Sequence, residues 1–213
     1  MSNVKNSWLV RPYPHGIHRL DEFMTGHLIA IGWPGIGDLT GKTREDLKAI
    51  LSGAPYHLNG LALGNAYASV DIFVNQMQPG DLVLVPDGDD IFFGEITGNY
   101  RLEPSVDNNA GGYSHQRTVT WLANVARKDL SKELRSSLKV HRTTACLSRH
   151  TAEIDALAHG RPFAPEADNG SGSIQVSYPL RPDFNITFSV PDNITKDEAG
   201  RLSNYFSTLY FAR

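Results

Sequence analysis

Met77 to Gly98, MQPGDLVLVPDGDDIFFGEITG, is the stretch whose reading decides the fold. Gln78-Pro79-Gly80-Asp81 has turn composition. After it the apolar run Leu82-Val83-Leu84-Val85, stopped by Pro86, reads as a strand buried on both faces. Asp87-Gly88-Asp89-Asp90 is a polar hairpin loop, and Ile91 to Thr97 is the returning strand. Phe92 and Phe93 are adjacent on that strand and therefore point to opposite faces. One must enter the core, which leaves the other for a pocket or a surface.

Upstream, the apolar positions Val70, Phe73, Val74 and Met77 recur at helical spacing, so a helix is expected over 62–77. Thr43 suits a helix N-cap, with the helix running through Leu47 and Ile50 to a stop at Gly53. His27 to Trp33 reads as a buried strand that ends at the turn Pro34-Gly35-Ile36-Gly37-Asp38. Trp8 to Pro12 reads as a first strand. Downstream, a polar loop over 103–114 leads into the strand Arg117 to Leu122. Asp129 or Ser131 then caps a short helix, and another is expected over 151–158. Residues 161–173 have linker composition. Beyond them, 174–180 and 184–190 read as strands around an Arg181-Pro182-Asp183 turn. Thr195 caps a last helix, with Glu198 as its capping-box partner. The expected organisation is α+β: a domain over 1–160, a linker over 161–173, and a hairpin–helix unit over 174–213.

Bulk properties narrow the function classes. The chain has 213 residues and a net charge of −3, which excludes a general polycation but not a local basic face. Cys146 is its only cysteine, so neither an intramolecular disulfide nor a cysteine-rich zinc site can form. No segment approaches the roughly 18 apolar residues of a membrane helix, and the N-terminal segment has no signal-peptide run. A soluble, cytoplasmic protein without membrane contact is expected. No nucleophile elbow, phosphate-cradling loop or zinc-protease motif is present. Asp87, Asp89 and Asp90 cluster like a cation site but lack a distal ligand. The sequence therefore points to a binding module rather than an enzyme, with no cofactor and no metal.

Three stretches together resemble the EVE and YTH domains of the PUA-like superfamily. IAIGW at 29–33 looks like the strand that ends in the pocket tryptophan of YTH domains. MQPGDLVLVPDGDDIFFGEITG looks like the Gly-Asp turn and hairpin of EVE domains. RTVTWLANVARKDL at 117–130 looks like the late YTH strand. The order is also similar to N-terminal domains of modification-dependent restriction nucleases. The resemblance implies a β-barrel flanked by helices that takes a flipped nucleobase, often methylated, into an aromatic-walled pocket. By that resemblance Trp33 is the first wall. The loop that supplies the second wall contains Tyr113 and no tryptophan.

The expected pocket comprises Trp33, Pro34, Gly35, Ile36, Asp38, Phe93 and Tyr113. Small residues after Trp33 let a flat ligand approach backbone N–H groups. For Trp33, a buried core position is the alternative; for Asp38, a turn residue ahead of the next helix. Trp8 and Trp121 read as core. Arg117, Arg127, Lys128, Lys132 and Arg135 open the one basic stretch of the chain, running to Arg149. It suits either a phosphate backbone or a solvated face. The leading reading is a reader of a modified or flipped base, in DNA rather than RNA, working in restriction or phage defence with a nuclease or other partner. A sensor of a small nucleotide-like ligand and a protein–protein adaptor are the alternatives. The C-terminal unit is too small to hold a good core alone, so it is expected to pack on the barrel domain or on another copy of itself, the latter giving a homodimer.

Overall fold

The computed structural model describes residues 5–163, 173–181, 184–192 and 194–208. The chain divides into two compact units, Met1–Phe163 and Ala164–Arg213, with the boundary inside the expected linker. Residues 164–172 of that linker, and Pro182 and Asp183 of the expected turn, lie outside the described residues.

The first unit is built on one mixed, curled sheet. Its strands are β1 (Ser7–Val10), β2 (Leu28–Ile31), β3 (Leu82–Asp87), β4 (Asp90–Ile96), β5 (Arg101–Leu102), β6 (His115–Ala126) and β7 (Thr144–Cys146). The order is β2-β6-β4-β3-β1-β7, with β5 beside β6. Only the β1–β3 pair is parallel. The hairpin expected on either side of Asp87-Gly88-Asp89-Asp90 forms β3 and β4, in register from Leu82↔Glu95 to Asp87↔Asp90. The end strands β2 and β7 do not pair among the described residues, so the sheet is a curled half-barrel where a closed or nearly closed β-barrel is expected. β7 has no counterpart in the sequence pattern.

The Gly-Asp turn is keyed by a buried carboxylate. Asp81 accepts hydrogen bonds from the Trp8 indole N–H at 2.7 Å and from the backbone N–H groups of Asn6 and Gln78 at 2.9 and 3.0 Å. Three donors satisfy a charge that burial alone would penalise.

The sheet carries core on both faces, which is why Leu82 to Val85 is continuously apolar. Val83, Val85, Trp8, Val10 and Ile96 point to one side and meet Phe23, Leu47, Leu51, Val70 and Phe73. These come from α1 (Leu20–Thr25), α2 (Arg44–Ser52), α3 (Gly60–Asp71) and the wider helical turn Ile72–Gln76 that follows it. Trp121 is half-buried against this core and donates its indole N–H to the Phe23 carbonyl. Leu9, Leu82, Leu84, Ile91 and Phe93 point to the other side, against Leu134, Leu138 and Ile154 of α4 (Lys132–Ser137), the segment after it, and α5 (Thr151–Ala158). α2 starts as the sequence indicates. The Thr43 hydroxyl accepts from the Asp46 N–H, and the Asp46 carboxylate accepts from the Thr43 N–H. Such a cap stabilises a helix by about 1 kcal/mol. α4 is capped by Ser131.

The second unit is the hairpin β8 (Ser173–Arg181) and β9 (Phe184–Pro191) followed by α6 (Lys196–Thr208). Thr195 and Glu198 form the capping box that the sequence indicates. Among the described residues no helix is long and apolar enough to cross a membrane.

Candidate functional site: a left-handed tryptophan beside a cationic groove

Trp33 follows β2 with φ at 70°, a left-handed conformation that a bulky side chain rarely adopts. Strain of that kind persists only where surrounding contacts enforce it, and it concentrates at functional sites. The enforcing contact comes from β6. Buried His115 lies with one ring nitrogen 3.2 Å from the Trp33 carbonyl and the other 2.8 Å from the Tyr100 hydroxyl. A carbonyl only accepts, so Nε2 carries the proton. Burial pushes the His115 pKa below its ordinary 6.5, which favours the neutral ring and leaves Nδ1 to accept from Tyr100. The Tyr100 oxygen in turn accepts from the Leu39 N–H, and burial raises its pKa to about 12. A neutral Tyr100–His115 relay thus holds the Trp33 backbone.

The indole borders a cavity of about 220 Å³, lined also by Tyr13, Pro14, His15, Gly16, Gly32, Tyr56 and Thr143. His15 is a second left-handed residue, at φ 51°. Its turn is seated between two glycines. A Cβ on Gly32 would come within 2.4 Å of the His15 nitrogen, and one on Gly112 within 2.6 Å of the His15 Cβ. Tyr56 donates its hydroxyl to the Pro34 carbonyl at 2.9 Å, which fixes its ring as a wall.

Two open grooves adjoin this cavity. One, of about 470 Å³, shares Trp33 and Thr143 with it and adds Asn65, Val140, His141 and Arg142. The other shares Tyr13 with the cavity and His141 with the first groove, and adds Arg11, Arg127, Leu138 and Lys139. No Asp or Glu lines any of the three depressions. Among the described residues, Arg11, Arg127, Lys139, His141 and Arg142 make no ion pair. Arg11 is half-buried, with its guanidinium donating to the Leu138 and Val140 carbonyls, and its pKa is lowered first by burial and then by Arg127. Arg127 is anchored through Nε to the Gly88 carbonyl at 2.9 Å. Arg11 and Arg127 thus line one groove that has no acid among its lining residues, and a guanidinium's fork of donors suits an anion.

Several residues singled out from the sequence stand elsewhere. Phe93 is fully buried in the core facing α4 and α5, away from the Trp33 side of the sheet. Phe92 is the one that faces the Trp33 side, packed against the other core. Tyr113 lies under the Arg19 guanidinium, 5.1 Å from ring centroid to Arg19 Cζ, and does not line the cavity. Asp38 is exposed, its carboxylate accepting from the Thr40 N–H and hydroxyl, which lowers its pKa; it is a turn residue. Gly35 donates its N–H to Asp107, Pro34 is buried, and Ile36 packs on the core. The walls facing the indole are the 13–16 turn and Thr143 rather than the 34–38 and 103–115 loops.

The basic stretch also separates. Arg117 is buried, with its guanidinium donating to the carbonyls of Phe73, Val74 and Gly98. It closes the wide helical turn and cannot reach a phosphate. Burial lowers its pKa to about 10. Lys128 and Arg135 are exposed outside the three depressions, and Lys132 borders a different one with Glu133, Arg149 and His150. Of the phosphate candidates only Arg127 joins the Trp33 surface. Lys139 and Arg142, which line these grooves, belong to the basic stretch that runs to Arg149. Sequence reasoning misses Arg11, Tyr13, His15, Tyr56 and His141 as parts of this surface, because they assemble from segments far apart in the chain.

A family model for a domain of unknown function, DUF8426, matches residues 15–146. The chain belongs to this family. The DUF8426 match runs from the His15 turn to the last residue of β7. It includes Trp33, Tyr56, Arg127 and Lys139, and leaves the second unit outside. No curated protein matches the chain. A solved structure, protein Atu2648 from Agrobacterium tumefaciens, is similar with 12% identity over 76% of this chain and 99% of that chain, at a TM-score of 0.33.

Proposed function

We propose that the first unit is a nucleic-acid-binding module of the PUA-like, EVE/YTH-like kind, one that admits a flipped or modified base of DNA beside Trp33. The observation that carries this reading is a small aromatic cavity adjoined by two grooves whose lining residues include Arg11, Arg127, Lys139 and Arg142 and no acid. Ligand pockets for drug-sized molecules occupy roughly 300–1,000 Å³. At about 220 Å³ the cavity suits a single ring system and not a whole nucleotide. The sugar and phosphates must then lie outside, where Arg11, Arg127, Lys139 and Arg142 supply positive charge. Base–aromatic stacking supplies about 1–3 kcal/mol per base, and phosphate contacts supply affinity without sequence preference. The resemblance to N-terminal domains of modification-dependent restriction nucleases supports a role in restriction or phage defence, with the catalytic work left to a partner.

Binding of matched oligonucleotides, plain and base-modified, by the parent and by Trp33→Ala tests this. The parent is expected to prefer one strand, and Trp33→Ala to lose that preference together with about 1–3 kcal/mol of affinity. Equal binding of every strand by the parent, unchanged in Trp33→Ala, contradicts the pocket assignment. Thermal stabilisation by free nucleotides without any oligonucleotide binding points instead to a small-ligand sensor.

A further inference from the structure

The two grooves beside the Trp33 cavity differ in chemistry. The one lined by Arg11 and Arg127 also holds Lys139, so it carries three permanent cations. The one along α3 carries a single permanent cation, Arg142, and Leu58, Ala62, Ala66 and Val140 give it apolar walls. Phosphates call for the first kind of surface. A nucleobase calls for the second, because it has apolar faces to cover and a polar edge to satisfy.

The α3 groove is held in shape from both sides. Ala62, Asn65 and Ala66 are fixed by the helix. Val140 to Thr143 are tied down by Arg11, whose guanidinium donates to the Val140 carbonyl and whose backbone N–H donates to the Thr143 carbonyl at 2.9 Å. Asn65 has hydrogen-bonding capacity to spare. Its carbonyl accepts from the Ser69 hydroxyl at 3.0 Å, but its side-chain amide has no partner among the described residues. An amide offers an acceptor and two donors in one plane. It pairs bidentately with the edge of adenine, where an amino donor stands beside a ring-nitrogen acceptor.

Position links this groove to the cavity. The two share Trp33 and Thr143, so a strand with one base in the cavity has an adjoining nucleotide at the groove. No acid lines the groove to repel the strand, and Arg142 and His141 stand in it on the side that leads to the other groove. Resting on the reading that the cavity admits a base, we propose that the α3 groove is the subsite for the neighbouring nucleotide and that Asn65 reads its base, with adenine preferred. The module then recognises a two-nucleotide step rather than a single base.

The test is binding of short single-stranded DNA oligonucleotides to the full chain. Each carries plain or methylated cytosine or adenine at one central position, with every base in turn on either side of it. On one side, the parent should bind adenine at least about fivefold more tightly than the other bases. Asn65→Ala should abolish that neighbour preference and keep the preference between plain and methylated central bases. Asn65 is exposed on α3, so the variant should melt as the parent does. A parent that distinguishes central bases but ignores both neighbours overturns the subsite and leaves the cavity reading standing. A parent that binds no oligonucleotide overturns both. A preference for a neighbour other than adenine, or one that Asn65→Ala leaves intact, also overturns the proposal.

Discussion

The two ends of β6 put arginine to opposite uses. At the inner end, Arg117 sits opposite Ile29 with its guanidinium spent on three carbonyls, two of them within the wide helical turn. Just past the outer end, Arg127 is tied at Nε alone and lines, with Arg11, a groove that has no acid among its lining residues. Both residues belong to one basic stretch of sequence. The first is structural, because a buried guanidinium must have its donors satisfied. The second is available, because its remaining donors have no partner among the described residues. Charge density along a chain therefore does not separate structural arginines from available ones; the partners of their donors do.

The largest expected effect lies at the inner end. Arg117→Ala leaves three carbonyls without a donor, at roughly 1–3 kcal/mol for each buried group left unsatisfied. With part of that recovered by water, a stability loss of about 3–5 kcal/mol is expected in urea denaturation. Arg117→Lys should recover only part of it, since an ammonium lacks the fork geometry. A loss below about 1 kcal/mol would mean that Arg117 is not the strut described and would erase the contrast with Arg127.

Much of the fold is legible in the sequence, for identifiable reasons. The β3–β4 hairpin, the Thr43 cap and the Thr195–Glu198 cap are local, and local chemistry decides them. β7 is illegible because three residues carry too little pattern and form a strand only when β1 lies alongside. The phenylalanine pair shows a subtler limit. Alternation correctly places Phe92 and Phe93 on opposite faces, but with core on both faces it cannot tell which one meets the Trp33 side. Of the site, Trp33 itself is legible from its place at a strand end before Pro34. Its walls are not, because the His15 turn and Thr143 come from opposite ends of the first unit. For Arg117 a signal exists: an arginine in the middle of a pairing strand should have its donors accounted for before it is assigned to solvent.

A smaller effect should come from the relay behind Trp33. Burial holds the pKa of His115 below 6.5, so on acidification the unfolded chain takes up the proton before the folded one. Stability from this group is complete above that value, falls as pH drops below it, and levels off once the folded state titrates as well. Substituting His115→Gln keeps a polar side chain but removes the titration. The acid limb of stability against pH should therefore flatten. An unchanged acid limb in His115→Gln would show that this buried ring does not set it.

The measurement that bears most directly on the groove is the salt dependence of oligonucleotide binding by the parent and by the Arg11→Gln, Arg127→Gln double variant. Each phosphate that the protein no longer neutralises should reduce the slope of log affinity against log salt by about 0.7–0.9. The double variant should therefore bind more weakly with a slope shallower by roughly 1.4–1.8, and any preference between modified and plain strands should persist, since Trp33 is intact. An unchanged affinity and slope in the double variant would contradict the account, for the acid-free groove would then carry no phosphate.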